Sequence, residues 1–163
     1  MEAIATAFAV DVPSVALLVL PSSSPLQRAI HELRELGVNA FGLDLHSGTA
    51  GRSHLLSGGE VVSENPTLLV STHATTRGLD LPELTHVFIL GIPEGPKVNG
   101  RSVDAYVHIA GRVGRFGRGG KVITVVEDDE KDEEAEKVVS EGSKMKRILG
   151  RLEITPVRFE PFD

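Results

Sequence analysis

The run Val15-Ala16-Leu17-Leu18-Val19-Leu20 is apolar at every position. A strand with one wet face alternates in polarity, whereas an unbroken apolar run of this length is the pattern of a strand covered on both faces, as at the centre of a parallel sheet. Leu26, Ile30, Leu33 and Leu36 then recur at helical spacing and predict one apolar helix face. Ser24, Pro25 and Gln27 supply a capping box in front of that helix, and Gly37 supplies its stop. Further strands are expected over Val38 to Leu45, Thr67 to Ser71, Thr85 to Leu90 and Lys121 to Val126. Val103 to Gly114 can be helical, and Asp129 to Leu149 reads as a long, heavily charged helix with Gly142 as a candidate break. The glycines, serines and prolines of His46 to Asn65 and of Gly91 to Ser102 predict loops, the first with at most a short helix around Arg52 to Leu56. Strands alternating with helices indicate a single α/β domain, with an open, mainly parallel sheet flanked by helices. No internal repeat is present.

Composition adds bounds to this picture. A chain of 163 residues with 40% hydrophobic content fits one core. The absence of cysteine excludes a disulfide framework, a thiol nucleophile and thiolate metal sites, and favours an intracellular setting. No apolar run approaches the ~18 residues of a membrane span, and Met1 to Val10 lacks the basic start of a targeting segment. A soluble chain without a membrane partner is therefore expected; nucleus, cytoplasm and organelle all fit.

The net charge of −6 argues against nucleic acid until it is resolved along the chain. Glu127 to Glu136 holds eight acids and one lysine, so the rest of the chain sums to +1. That acidity is expected to sit at one helix start, facing away from any ligand. Lys97 to Lys121 instead holds six bases against Asp104 alone. Within it, Arg112 and Arg115 stand three apart, so a helical turn would send both guanidiniums from one face. Paired guanidiniums suit the neutralisation of charge on a transferring phosphoryl group.

Other chemistry is missing from the sequence. Gly119-Gly120-Lys121-Val122 fails as a phosphate loop, because Arg115 stands where the first glycine belongs and no hydroxyl follows the lysine. His31-Glu32-Leu33-Arg34-Glu35 is one histidine short of a zinc-protease helix, and the six histidines lack ligand spacing, so no metal site is expected. A second ligand-bearing stretch is Leu69 to Pro82, where an apolar strand runs into Ser71-Thr72-His73-Ala74-Thr75-Thr76-Arg77-Gly78-Leu79-Asp80. Small hydroxyls and backbone amides at the carboxyl end of a parallel strand are placed to bind ligands.

Taken in order, these segments resemble the C-terminal RecA-like domain of a DEAD-box ATP-dependent RNA helicase, a superfamily-2 family, over about Val15 to Val126. Val15 to Leu20 with Pro21-Ser22-Ser23 is similar to motif IV, and Ser71-Thr72 through Asp80 to motif V. Tyr106-Val107-His108 through Gly111-Arg112-Val113-Gly114-Arg115 is similar to motif VI, whose family form is H-R-x-G-R-x-x-R. The resemblance implies that Arg112 and Arg115 are arginine fingers for ATP hydrolysis. It implies that Asp80 holds the ribose, that Arg77 and Gly78 shape the loop between nucleotide and RNA, and that Gly111 belongs to the nucleotide side. Thr72, Ser22 and Ser23 would touch RNA phosphates, with Gly48 and Arg52 as a weak counterpart of a Q-x-x-R segment. ATP and Mg2+ would be held mainly by an N-terminal RecA-like domain of the same parent, since no Walker A loop or D-E-A-D tetrapeptide occurs here. RNA, that domain and a protein cofactor are the implied partners, and the isolated chain would not hydrolyse ATP. Residues 1–150 would form the domain and residues 151–163 a C-terminal tail.

The departures from the pattern are specific. Ile109 replaces the first arginine of motif VI, His73 replaces an aspartate of motif V, and Thr49 replaces the glutamine of Q-x-x-R. Pro21-Ser22-Ser23 departs from the family's motif IV, and Gly95 to Arg101 looks inserted before motif VI. An RNA side reduced in this way supports an alternative reading, a non-catalytic helicase-derived module for RNA or protein contact. Retention of Arg112, Arg115 and Asp80 favours the enzyme part. His108, where relatives of the DEAH type carry glutamine, argues against them.

Overall fold

The computed structural model describes residues 1–11, 13, 15–42, 66–76, 84–93, 100–111, 113, 119–127 and 141–158. Its elements are α1 (Glu2–Val10), β1 (Val15–Leu20), α2 (Leu26–Glu35), β2 (Ala40–Gly42), β3 (Thr67–Thr72), the single turn α3 (His73–Thr76), β4 (His86–Leu90), α4 (Gly100–Ala110), β5 (Lys121–Val125) and α5 (Glu141–Arg151). The five strands form one parallel sheet in the order β2-β3-β1-β4-β5. β1 is the central strand its apolar run predicted, and Ala16 through Leu20 are at most 1% exposed.

Strand alternation sorts the core into two layers. Ala16, Leu18, Leu20, Leu68, Val70 and Phe88 face Ile4, Phe8, Ile30 and Leu33 of α1 and α2. Leu17, Val19, Leu69, Val87 and Ile89 face Tyr106, Ile109, Met145 and Ile148 of α4 and α5. The rings of Phe8 and Phe88 tilt against each other at 6.5 Å, a favourable aromatic separation.

Several expectations are corrected. Residues 2–10, assigned no element from sequence, form α1, whose Ile4, Ala7 and Phe8 are buried. Leu26 is the first residue of α2 and Pro25 its N-cap without a side-chain bond, so the capping box of Ser24 and Gln27 does not form. Leu36 is the C-cap of α2 and is 44% exposed, beyond the apolar face. The stop does operate: Gly37 takes φ +84°, its N–H donates to the Arg34 carbonyl, and the Val38 N–H donates to the Leu33 carbonyl. This is the double closure that glycine permits at a helix end. α4 begins at Gly100, inside the expected loop, and its Ser102 is fully buried. Gly142 is the second residue of α5, and residues 129–140 of the long helix expected there lie outside the described residues. The loop over His46 to Asn65 and residues 43–45 of the second expected strand lie outside them too.

At the amino edge of the sheet a polar cluster joins three elements. His86 and Lys121 open β4 and β5 in register, and Asp11 follows α1. The His86 ring lies with Nε2 3.0 Å from Asp11 Oδ2 and Nδ1 2.8 Å from Thr85 Oγ1, and Lys121 Nζ donates to the same Asp11 oxygen. The Lys121 ammonium first, and the His86 ring second, hold the Asp11 carboxyl below its ordinary 3.8. A carboxyl depressed on folding contributes stability above its unfolded value and loses that contribution as pH falls through its folded one. An acid titration followed at the Asp11 side-chain carbonyl by NMR should give a midpoint below 3.8 that rises in Lys121→Met; an unmoved midpoint would exclude Lys121 as the cause.

Candidate functional site

In a parallel sheet every strand ends at the same edge, and that edge is where crossovers leave room for ligands. Leu20 is in register with Thr72, so the turn that follows β1 lies beside the end of β3. That turn is closed by the Ser24 N–H donating to the Pro21 carbonyl at 2.9 Å and leaves Ser22 and Ser23 exposed. Ser22, Ser23 and Thr72, three of the residues assigned to phosphate contact, therefore share one edge across adjacent strands.

α3 is fixed to this edge by two hydroxyls of the stretch expected to bind ligands. Ser71 Oγ and Thr76 Oγ1 are 2.7 Å apart and buried, and Thr76 Oγ1 donates to the Thr72 carbonyl at 2.8 Å. The pair holds a single helical turn, too short to be stable by itself, against the strand. Ser71 sits in the buried register of β3, which is the signal that could have marked it. His73, at the position of the motif V aspartate, is 5% exposed. Next along the edge, Gly91 takes φ +74°, and a Cβ there would lie 3.7 Å from Pro21. Glu141 completes the edge, its Oε2 accepting from the Glu127 N–H at 2.9 Å. The acidic stretch thus has its flanking Glu127 and Glu141 at the carboxyl edge, beside Gly91 and Pro21, and residues 128–140 between them lie outside the described residues.

α4 carries the start of the motif VI segment. Tyr106 and Ile109 point into the core, and Val107 and His108 are exposed. Burial pushes the Tyr106 hydroxyl above its ordinary 10.0, and its hydrogen bond with Thr124 pulls the other way. Ile109 is 3% exposed and belongs to the layer between the sheet and α4 and α5, so the replacement of arginine there adds a core contact. Gly111 follows α4 with its N–H donating to the Val107 carbonyl at 2.8 Å, and a Cβ at Gly111 would come 3.0 Å from that oxygen. A side chain there would press on that carbonyl, so glycine eases the close backbone approach. Arg112, Arg115, Arg77, Gly78, Asp80, Gly48, Arg52 and Thr49 lie outside the described residues. Among the described residues no three histidine or carboxylate side chains gather to hold a metal, and no helix is long and apolar enough to cross a membrane.

Residues 6–117 match the family described as helicase conserved C-terminal domain. The chain belongs to that family. The helicase match spans both motif-bearing segments and over two thirds of the sequence. A chloroplastic DEAD-box ATP-dependent RNA helicase of Arabidopsis thaliana, number 58 of its series, is 47% identical over 47 residues, which are 29% of this chain and 8% of that protein. The chain thus spans a small part of the curated relative it matches. Among solved structures, the C-terminal domain of the DEAD-box protein Dbp5 superposes with a TM-score of 0.63 at 19% identity, covering 93% of this chain and 77% of that one. Dbp5 of S. cerevisiae bound to RNA and ADP BeF3 gives 0.60 at 20% identity, covering 91% and 35%. These structural likenesses establish the RecA-like fold of the helicase C-terminal domain, as the motif order had indicated.

The hydroxyl pair beneath the edge is open to measurement. Thr76→Val removes the donor to the Thr72 carbonyl and the partner of the Ser71 hydroxyl together, a loss worth ~1–3 kcal/mol for buried groups. Urea unfolding of this helicase domain should show a lower midpoint at unchanged slope, with Ser71→Ala costing less; equal stability of Thr76→Val and wild type would refute the pinning role.

Proposed function

We propose that this helicase domain is the second half of an ATP-dependent DEAD-box RNA helicase, with residues 1–150 as the domain and residues 151–163 as a tail. The observation that carries the reading is the order of its two long motif segments, Ser71 to Asp80 starting in β3 and Tyr106 to Arg115 starting in α4, inside a family match that covers both. Arg112 and Arg115 would act as fingers on the phosphoryl group of ATP, which provides the bond to be broken when bound. Guanidiniums fit that task because they place fixed positive charge where the transferred group's oxygens gather negative charge. Asp80 would hold the ribose, Arg77 and Gly78 would shape the connecting loop, and Gly111 would let the chain turn tightly toward Arg112. The absence of a phosphate loop in the sequence supports assigning the triphosphate and Mg2+ chiefly to a partner RecA-like domain of the same parent.

On the RNA side, the shared edge of Ser22, Ser23 and Thr72 supports backbone recognition, because small hydroxyls contact phosphates without reading bases. Gly48 and Arg52 would extend that surface. Sugar hydroxyls would set RNA apart from DNA. A DEAD-box relative solved with RNA and ADP BeF3 shares this fold, which supports the same two ligands here. The second reading, a non-catalytic module that contacts RNA or a protein, draws on His73 and Ile109, both buried where the family pattern has charged residues.

Turnover separates the two. An arginine finger is worth ~10³ to 10⁵ in rate, so Arg115→Ala in the two-domain parent should lower kcat by that factor, with RNA affinity retained. The 163-residue chain alone should show steady-state ATPase at background. Near wild-type turnover in the variant would remove Arg115 from the role, and a parent without RNA-stimulated ATPase would favour the non-catalytic module.

A further inference from the structure

α5 and α2 differ in how they treat their charges. On α2 each basic side chain has a partner: Arg28 pairs with Glu32 at 2.9 Å, His31 stands 3.3 Å from Glu35, and Arg34 donates to the Ala40 carbonyl at 2.9 Å and lies over the Phe41 ring. On α5, Met145, Ile148 and Leu149 pack into the core, which leaves Ser143, Lys146, Arg147, Gly150 and Arg151 on the solvent face. Among the described residues no carboxylate pairs with Lys146, Arg147 or Arg151. The helix's single acid, Glu141, is taken up by the Glu127 N–H at the other end. Arg147 and Arg151 are one turn apart, an arrangement of like charges that works against helix stability. Attraction to the negative helix end accounts for Arg151, in the last turn, and not for Lys146, which lies before it.

We infer that the solvent face of α5 is a second RNA contact, in which Lys146, Arg147 and Arg151 hold backbone phosphates of a single strand away from the motif-bearing edge. Charge complementarity names the occupant: exposed, unpaired cations without interleaved acids, and with no aromatic ring among the helix residues, suit phosphates rather than bases. The face would retain the RNA by a contact that does not depend on the cleft between domains. The inference rests on the RNA reading above, and the experiment distinguishes the two.

Fluorescein-labelled oligouridine would be titrated with the 163-residue chain by anisotropy over a series of salt concentrations, alongside an amide NMR map of the same titration. Lys146→Gln, Arg147→Gln and Arg151→Gln combined should weaken binding at low salt by about tenfold or more and lower the slope of log affinity against log salt by about 2, for three phosphates on a single strand. Amides of α5 should move with oligouridine in the wild type, and unchanged circular dichroism would show the variant folded. Unmoved α5 amides, or a triple variant with the wild-type slope, would overturn the α5 contact. α5 amides that respond to polyglutamate and not to oligouridine would overturn it in favour of an acidic protein partner. Failure of the edge reading has a separate signature: Ser22, Ser23 and Thr72 amides stay still while those of α5 move.

Discussion

The register of β1 between β3 and β4 is the constraint on which the rest of this domain depends. Leu20 opposite Thr72 puts the Pro21 turn next to α3, and Ala16 opposite His86 puts the close of β4 against the same turn. A slip of one residue would exchange the Leu17 and Val19 layer with the Ala16, Leu18 and Leu20 layer, because side chains alternate with period two. The residues behind each strand would then change faces as well. Burial of β1 on both sides makes that slip costly, since each layer is filled by side chains of a particular size. The arrangement of the carboxyl edge is therefore specified by packing in the interior of the sheet.

The two edges of the sheet are built differently, and the difference has an electrostatic logic. At the amino edge, Asp11, His86 and Lys121 satisfy one another and tie α1 to the first residues of β4 and β5. At the carboxyl edge the interactions are between hydroxyls and backbone, as in Ser71, Thr76 and the Thr72 carbonyl. Neutral groups of that kind hold the chain in place without placing a fixed charge at the edge. Glu141 is the exception, and its carboxylate is already engaged by the Glu127 N–H.

Much of this was legible in the sequence because single physical signals fixed it. Six consecutive apolar residues located the central strand, a glycine after an amphipathic run located the end of α2, and motif order located the family. What was not legible was set by tertiary contact. α1 carries no cap or polar alternation to announce it, and becomes a helix whose Ile4, Ala7 and Phe8 cover Phe88 and the sheet. The capping box of α2 failed because the helix starts one residue later than the serine and proline suggested, with proline at the cap itself. α4 extends back through Gly100 because a buried Ser102 and the packing of Ala105 outweigh the loop preference of the residues before it. The hydroxyls of Ser71 and Thr76 read as loop chemistry, yet they are buried and bonded to each other, because Ser71 is still part of β3 and Thr76 closes the turn behind it.

Ile109 shows how a motif position can change its meaning without changing the fold. On α4 it follows Tyr106 by three residues, so the two share the face that packs on the sheet, while Val107 and His108 take the outer face. An arginine at that position could keep its aliphatic stem in the core and carry its charged head outward. Isoleucine keeps only the packing half of that double role, and the layer around Met145 and Ile148 closes over it. Isoleucine at this position therefore fills the core layer and adds no cation to the outer face of α4. It falls upstream of Gly111, where the close approach to the Val107 carbonyl fixes how the chain leaves the helix. The helix exit at Gly111 is thus held by a backbone contact in which residue 109 takes no part, so the packing of α4 on the sheet and the geometry of its carboxyl end are set by different residues.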